Sequence, residues 1–378
     1  MTTGNKGNGQ NHGNSLHAPP LPTLPFDLVT EILCWLPVKH LIQLRRVCKS
    51  WNSLISDDSK FAKRHLRLSI SNQDHHHLIL TPKATSDEFV LYDYRLSSIF
   101  SSESTPSVSQ LWFPFIPIIN GDSFGGFSTC HGIFCFGIDG SLALLCNPSI
   151  GKLKLLPPLK NICNLKTSYT LVYDPFIDNY KIIALSYNHT VNVHTLGTDY
   201  WKRIQDVPYH YHIHGLGILV GVFVGGTVNW LAYDSCSSSW VIVSLDLEKE
   251  SYRRLLQPLE QFDPNIVFGE LRGCLCILSS HHNLSDIWIM KEYGNEQSWT
   301  KLLSVPQTET HHGFLYPYTK PVYISEDDQV MLKRPEMGGF DLVVYDSITN
   351  TLKTLEIENL DGWMEPNIYV ESLISPSC

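Results

Sequence analysis

A unit of nearly fifty residues occurs five times from Gly132 onward, and this repeat restricts the folds open to the chain more than any other feature. Each copy consists of short β-branched and aromatic runs separated by Gly, Asn, Asp and Pro turns, which predicts strands instead of helices. The copies begin at Gly132, Tyr180, Gly226, Gly273 and Asp328, at intervals of 48, 46, 47 and 55 residues. A bulky residue near the end of each copy keeps a similar period, at Leu153, Trp201, Tyr252, Trp299 and Leu352.

A period near fifty residues is typical of kelch-like repeats and matches the size of a four-stranded propeller blade. Blades arranged around an axis bury the faces of neighbouring sheets and leave only short edges exposed. Three more strand-like runs lie outside the five copies, at 77–81, 89–95 and 368–375. We expect these runs to form a sixth blade that joins the two ends of the repeat region, with five or seven blades as the alternatives.

The residues before the strand-rich region have helical periodicity. Pro25 suits the first turn of a helix, and Pro37 ends that helix. The first apolar stripe comprises Leu28, Ile32, Leu33 and Leu36. Two further short helices are predicted, one with the stripe Leu41, Leu44, Val47 and Cys48 and the other with Trp51, Leu54 and Ile55.

Three short helices in about 45 residues are too small a unit to bury this many apolar side chains alone. The helices need a cover, which is either a partner protein or the remainder of the chain. Periodicity by itself favours neither of these two interpretations.

The stretch LPFDLVTEILCWLPVKHLIQLRRVCKSWNSLIS closely resembles the F-box, the motif by which receptors of SCF (Skp, cullin, F-box) ubiquitin ligases bind the Skp adaptor. The match covers roughly residues 21–68. The resemblance implies a set of twelve residues that contact the adaptor, of which Trp51 and Ile55 also complete a small core. These residues are Leu24, Pro25, Leu28, Ile32, Leu33, Leu36, Pro37, Leu41, Leu44, Val47, Trp51 and Ile55.

The repeat region carries a second resemblance. The phrases TLVYDPFIDNYKIIAL, VNWLAYD, VSLDLEKESYRRL and DIWIMKEYGNEQSWTKL are similar to the F-box-associated domain (type 1, kelch-like) of plant F-box proteins. This resemblance covers approximately residues 75–375, so the two together account for nearly the whole chain. They imply an α+β multidomain plant protein in which a small three-helix F-box precedes an all-β propeller.

These observations predict four parts of the chain. Residues 1–20 are rich in Gly, Asn and His and contain no apolar run, so we expect a disordered tail without a signal peptide. The F-box occupies 21–68, a polar linker 69–76, and the propeller 77–375.

Composition narrows the class of protein and of partner. With 43% hydrophobic and 17% charged residues the chain is an ordinary globular protein, and it contains no membrane-length apolar run. Residues 22–67 carry a net charge of +4 and the whole chain -9, so the remainder is strongly acidic, which argues against nucleic acid as a partner. Most of the ten cysteines lie in apolar runs, and we expect reduced thiols in the cytoplasm or nucleus.

Two patterns raise the alternative of an enzyme. The sequence GDSFG at 121–125 fits the nucleophile-elbow pattern around Ser123, but that chemistry needs a strand, a turn and a helix, and the flanks predict strands. His210, His212 and His214 alternate in a way that places three rings on one side of a strand, but no carboxylate or cysteine cluster lies beside them. We therefore expect no catalytic residue, metal or cofactor.

Recognition is expected on loops, because loops vary without disturbing the sheets. The candidate loops are 209–214, 235–239, 281–285 and 308–318. The candidate substrate-binding residues are Tyr209, His212, His214, His282, His312 and Tyr316.

The resemblances imply a two-part receptor in which the F-box binds the Skp adaptor, and through it cullin, while the propeller holds an unidentified protein substrate. Such a chain acts by proximity, since it raises the effective concentration of a substrate lysine near the ubiquitin donor. One alternative is an adaptor-bound scaffold that never joins a cullin. The other is a propeller enzyme that depends on Ser123 or on the three histidines.

Overall fold

In a computed structural model of the protein, four helices form the N-terminal part of the chain. The structure describes residues 1–2, 24–81, 89–101, 108–113, 127–138, 140–160, 167–213, 220–259, 266–309, 317–336, 339–355 and 365–377. The helices are α1 Phe26–Leu33, α2 Val38–Leu44, α3 Lys49–Asp57 and α4 Ser59–Ser71, and a fifth, α5 Leu96–Phe100, lies between strands. The expected tail at 1–20 falls almost entirely outside the described residues. No helix in the described part of the chain is long and apolar enough to cross a membrane.

Helix α4 was not among the three helices that the sequence predicts. It begins after Asp58, whose side chain accepts hydrogen bonds from the amides of Lys60 (2.8 Å) and Phe61 (3.0 Å) and so caps the helix. The predicted linker at 69–76 is also ordered. Helix α4 runs to Ser71, and a 3₁₀ turn at Gln73–His75 leads directly into the first strand. We call α1–α4 with this turn the helical module.

Twenty-five strands lie within the described residues. They are β1 His76–Thr81, β2 Phe89–Arg95, β3 Val108–Phe113, β4 Phe127–Cys130, β5 Ile133–Gly137, β6 Ala143–Asn147, β7 Lys152–Leu155, β8 Thr167–Asp174, β9 Asn179–Ser186, β10 Val191–Thr195, β11 Lys202–Arg203, β12 Tyr211–Ile213, β13 Val222–Val224, β14 Thr227–Asp234, β15 Ser239–Asp246, β16 Ser251–Leu256, β17 Val267–Leu271, β18 Cys274–His281, β19 Leu284–Met290, β20 Trp299–Pro306, β21 Lys320–Ile324, β22 Gln329–Glu336, β23 Gly339–Asp346, β24 Thr351–Leu355 and β25 Glu365–Val370.

The strands form six sheets, which confirms the six-bladed propeller. Blade 1 is β4–β7, blade 2 β8–β11, blade 3 β12–β16, blade 4 β17–β20, and blade 5 β21–β24. Blade 6 takes its inner strand β25 from the C-terminal end of the chain and its other strands, β1–β3, from the region after the helices. In this blade β25 pairs with β1 so that Ile368 lies opposite Leu78, which closes the ring as expected.

Both sequence landmarks mark fixed points of a blade. Gly132 and Gly273 lie in the turn between the first and second strands of blades 1 and 4, with φ of 79° and 74°. This left-handed conformation is one that glycine adopts at low cost. The bulky residues at the second landmark lie on or beside the outermost strands, as with Trp299 in β20.

The propeller has two ends, which we name the helical face and the distal face. Neighbouring strands in a blade are antiparallel, so the turns between first and second strands all lie at one end, and those between second and third strands at the other. Lys63 of α4 forms an ion pair with Asp178 in the turn between β8 and β9, which places the helical module at the first of these ends, the helical face.

The helical module packs directly on the propeller. One continuous apolar core contains Leu33, Leu41 and Leu54 from the helices together with Tyr169 of blade 2 and Leu373 after β25. The remainder of the chain therefore covers one side of the helices.

Candidate functional site

The other side of the helical module presents large apolar side chains to solvent. Trp35 is 59% exposed and Val47 61% exposed. Apart from Cys48, the exposed apolar residues from Leu24 to the start of α3, which we call the apolar surface, are Leu24, Pro25, Phe26, Leu28, Ile32, Trp35 and Val47. Exposed apolar residues in such number on a small unit mark an interaction site.

The structure sorts the twelve predicted adaptor residues into three groups. Exposed are Leu24, Pro25, Leu28, Ile32 and Val47. Half-buried are Leu36, Pro37, Leu44 and Trp51. Buried are Leu33, Leu41 and Ile55. The last three pack in the core shared with the propeller, so in this structure they support the surface from beneath instead of lining it.

Phe26 and Trp35 belong to the apolar surface but not to the predicted set. Both lie beside the stripe that the helical period selects, at the first turn of α1 and just after its end. A period shows which residues share a face, and it does not show whether that face looks inward or outward. The sequence signal that could have identified Phe26 and Trp35 is the presence of large apolar side chains beside the stripe of a short helix.

The border of the apolar surface is basic. Lys39, Arg46 and Lys49 are exposed on or beside α2 and α3. Glu31 of α1 and Arg64 of α4 form an ion pair and offset each other, and Asp27 is a further exposed acid on α1. This arrangement of charge favours an acidic partner.

A buried polar joint connects the helical module to the propeller. Glu371, which follows β25, accepts a hydrogen bond from the amide of Val38 at the start of α2 (N to Oε2, 2.8 Å) and one from His77 Nε2 (3.0 Å to Oε1). His77 Nδ1 donates to Asp93 of β2 (2.7 Å). Because both ring nitrogens face carboxylate oxygens, His77 is held as an imidazolium ion.

Opposing effects set the pKa values in this joint. Burial disfavours the charged form of His77, but the hydrogen bonds and charges of Asp93 and Glu371 outweigh burial and raise its pKa to about 9. Burial alone would raise the pKa of Glu371, and the hydrogen bond from His77 leads the effects that lower it overall. Both groups are therefore charged near neutral pH.

Two other histidines in the helical module are neutral. His65 Nε2 lies 2.9 Å from the carbonyl oxygen of Leu36, and Ser69 Oγ lies 2.9 Å from His75 Nδ1. Burial lowers the pKa of both rings. The hydrogen bond between Ser69 and His75 connects the end of α4 to the 3₁₀ turn across the predicted linker.

A cavity of about 550 Å³ lies at the mouth of the central channel on the helical face. The end of α4 lines it with Ile70, and inner strands and their turns line it with His131, Arg272 and Tyr323. Arg272 is already paired with Asp328 at 2.9 Å. The lining combines apolar walls with charges of both signs, and this mixture selects no single class of ligand.

The candidate substrate residues that the structure describes lie on the distal face. Tyr209 is 88% exposed, and His212 is exposed in β12 of blade 3. His282 lies in the turn between β18 and β19 of blade 4. His189, in the turn after β9, is close enough to His212 for the charge of that ring to lower its pKa, although burial lowers it more, and it was not predicted.

Several sequence candidates lie outside the described residues. These are Ser123, His214, His312 and Tyr316. Within the described ranges, no group of three or more His, Cys, Asp or Glu side chains could hold a metal ion. The three-histidine hypothesis thus stays a prediction, since one of its members is not described.

A docking surface on helices and a propeller on one chain define a two-part binding protein. Comparison with protein families identifies the class of binding protein. The F-box domain family matches residues 21–63, and the F-box associated beta propeller domain family matches residues 66–370. The chain belongs to the F-box proteins that carry an F-box-associated propeller domain. Its assignment to type 1 stays a prediction.

Curated relatives align over nearly the whole chain. F-box/kelch-repeat protein At3g23880 of Arabidopsis thaliana is 29% identical, with 94% of this chain and 96% of the relative covered. F-box protein CPR1 of the same plant is 26% identical, with 94% and 89% covered. Among solved structures, a chain of the nidogen/laminin complex matches 78% of this chain and 99% of its own length, at 10% identity and a TM-score of 0.48.

Proposed function

We propose that this protein is the substrate-recognition subunit of an SCF ubiquitin ligase. Its apolar surface binds the Skp adaptor, which connects it to cullin, and its propeller binds a protein substrate. The observation that carries the proposal is the exposure of the apolar surface on an F-box that is otherwise packed on the propeller. We further propose that the protein resides in the cytoplasm or nucleus, which free buried thiols such as Cys135 and Cys276 support.

The chain contributes binding and geometry in this function, and no acid, base or nucleophile. A substrate held on the propeller meets a ubiquitin donor held by the rest of the complex, which turns a bimolecular encounter into a local one. Members of this family are typically non-catalytic adaptors, and we propose the same role here. The distal face is our candidate for substrate contact, because Tyr209 and His212 are exposed there and the helical module occupies the opposite face.

The proposal is tested by affinity for a purified plant Skp adaptor, with variants that alter only exposed side chains. Burial of one large apolar side chain contributes about 1.5 to 3 kcal/mol, so Trp35→Ala or Ile32→Ala should weaken binding at least about tenfold. Ile348→Ala is the matched control, because Ile348 is 80% exposed in the turn between β23 and β24 of the propeller. Equal affinity of all three variants and the wild type would reject the apolar surface as the adaptor site.

A scaffold without ligase activity is the second candidate function. It shares the adaptor surface, so adaptor affinity does not distinguish the two. Co-purification of cullin with the complex, followed by ubiquitin transfer to a captured substrate, separates them. Adaptor binding without cullin would favour the scaffold.

A further inference from the structure

The four residues that follow β25, which we call the C-terminal segment (residues 371–374), connect the closed ring to the helical module. Strand β25 ends at Val370 on the helical face after pairing with β1 along its length. Glu371 then contacts both α2 and β1, and Leu373 and Ile374 enter the core that contains the helices. The helical module thus rests on the residues that directly follow the strand completing the propeller.

We propose that Glu371 is a positioning residue that fixes the orientation of the helical module on the propeller. The orientation itself follows from the contacts in this chain. Its consequence for ubiquitin transfer rests on the proposed function.

Both carboxylate oxygens of Glu371 are engaged. Oε2 accepts the amide hydrogen of Val38 at 2.8 Å, and this amide is in the first turn of α2, where it has no partner within the helix. Oε1 accepts from His77 at 3.0 Å. One side chain, itself only 7% exposed, therefore joins the first residue of a helix to the second strand of blade 6.

The C-terminal segment is held rigidly by the propeller. Asn147 Nδ2 of blade 1 donates to the carbonyl oxygens of Ser372 (3.0 Å) and Ile374 (2.7 Å). Ser372 Oγ donates to the carbonyl oxygen of His131 (2.7 Å). The next residue, Gly132, leaves no space for a side chain, because a Cβ there would lie 2.5 Å from Ser372 Oγ. Glu371 is thus fixed to two blades before it meets α2.

Apolar packing alone leaves the orientation of the module weakly determined. Burial of apolar surface is non-directional, so it fixes the orientation of the helices less sharply than a hydrogen bond does. A hydrogen bond from one amide to a fixed carboxylate has a preferred distance and angle, and rotation breaks it. A second charged contact with the propeller, between Lys63 and Asp178, lies on the exposed rim and contributes little. His76 of β1 hydrogen-bonds the carbonyl oxygen of Ile70 at the end of α4 (3.0 Å), and the Glu371 side chain supplies the directional contact to α2.

The test measures the distance between module and propeller directly. Spin-labelled noncanonical amino acids are placed at Ser53 on α3 and at Ile348 in blade 5, both exposed, and a reference pair at Ser238 and Ile348 reports on the propeller alone. In the full chain we expect one narrow distance distribution for each pair. Glu371→Ala removes both acceptor oxygens and should broaden the first distribution at least twofold while leaving the reference pair unchanged, whereas Glu371→Gln keeps one acceptor for the Val38 amide and should broaden it less.

Two further variants keep the test decisive. If Glu371→Ala does not fold, Val38→Pro removes the amide hydrogen from the other side, since proline is accepted at the first position of a helix. The control Lys63→Ala breaks only the rim ion pair and should leave both distributions narrow. Unchanged width of the Ser53–Ile348 distribution in Glu371→Ala and Val38→Pro would overturn the proposal, and so would equal broadening by Lys63→Ala.

The consequence for function is tested separately. In a reconstituted ligase, the Glu371→Ala chain should bind the adaptor and the substrate with wild-type affinity but transfer ubiquitin more slowly. Wild-type transfer rates with a broadened distribution would overturn the functional consequence only. Failure of the wild-type chain to bind the adaptor would instead reject the proposed function and leave the role of Glu371 in orientation intact.

Discussion

The charge of His77 makes the stability of the joint depend on pH. The pKa of this ring rises from 6.5 to about 9 on folding, so the folded state binds the proton more tightly than the unfolded state. Its contribution to stability is fully present below pH 6.5 and is lost as pH rises through about 9. At 1.36 kcal/mol per pH unit, the full contribution is roughly 3 kcal/mol.

The other groups around His77 do not mask this dependence. Asp93 and Glu371 are the carboxylates that face the ring, and the pKa of Glu371 is lowered, so it stays charged throughout the alkaline range. Burial lowers the pKa of the neighbouring His75, which is already neutral at pH 7. Burial also raises the pKa of Tyr369 well above its usual value, so this hydroxyl keeps its proton.

The perturbation that isolates the effect is His77→Gln, measured by urea unfolding between pH 6 and pH 10. From pH 7 to pH 10 we expect the wild type to lose about 2 to 3 kcal/mol more unfolding free energy than the variant. The variant starts about 3 to 5 kcal/mol lower at pH 7, because two buried carboxylates lose their cation, and its curve keeps only the pH dependence of the other groups. Subtraction of the two curves removes the titration of every other group. Parallel curves would refute the role assigned to His77.

Three further predictions concern the helices and the C-terminal segment. Asp58→Ala removes the cap of α4 and should lower the unfolding free energy by about 1 kcal/mol, measured by urea denaturation. Gly132→Ala should destabilise the protein by about 1 to 3 kcal/mol more than Gly151→Ala, since both glycines have positive φ but only Gly132 meets Ser372; equal melting temperatures would contradict the crowding. Trp35→Ala should weaken adaptor binding at least about tenfold without a change in melting temperature, as calorimetry and binding assays can show.

The blades could be predicted from sequence because their turns repeat. Residues such as Gly132 and Gly273 recur where a left-handed turn joins the first two strands of a blade, and this local requirement leaves a mark at a constant interval. The sequence also predicted that strands from the two ends of the chain pair, because each end contains too few strands for a complete blade. The apolar stripes of α1 to α3 were visible for the same reason.

The assignment of residues to an inner or outer face was beyond the sequence. Leu33 is 2% exposed and its neighbour Ile32 is largely open to solvent, yet both fit the same stripe. Only the position of the propeller decides between them. Helix α4 was missed because its buried apolar residues, such as Phe61 and Leu66, alternate with basic ones. Its buried face also includes the polar Ser69, whose hydrogen bond to His75 no local sequence pattern shows.

The joint itself has no local signature, because its members are distant in the chain. Glu371 and Val38 are separated by 333 residues. Each is unremarkable in its own segment, one a carboxylate after an inner strand and the other an aliphatic residue after a proline. Their contact exists only once the ring is closed.

Ring closure explains why the helical module lies where it does. In a propeller closed by β25 and β1, the residues before β1 and those after β25 emerge at the same end of the same blade, so an N-terminal module and the C-terminal segment must meet. The loops of the distal face are then separated from the helices by the length of a blade strand. Strands of eight residues, such as β14 and β22, span roughly 25 Å at about 3.3 Å per residue. A substrate held on the distal face would therefore lie at least this far from the adaptor, at a distance that a rigid joint keeps constant.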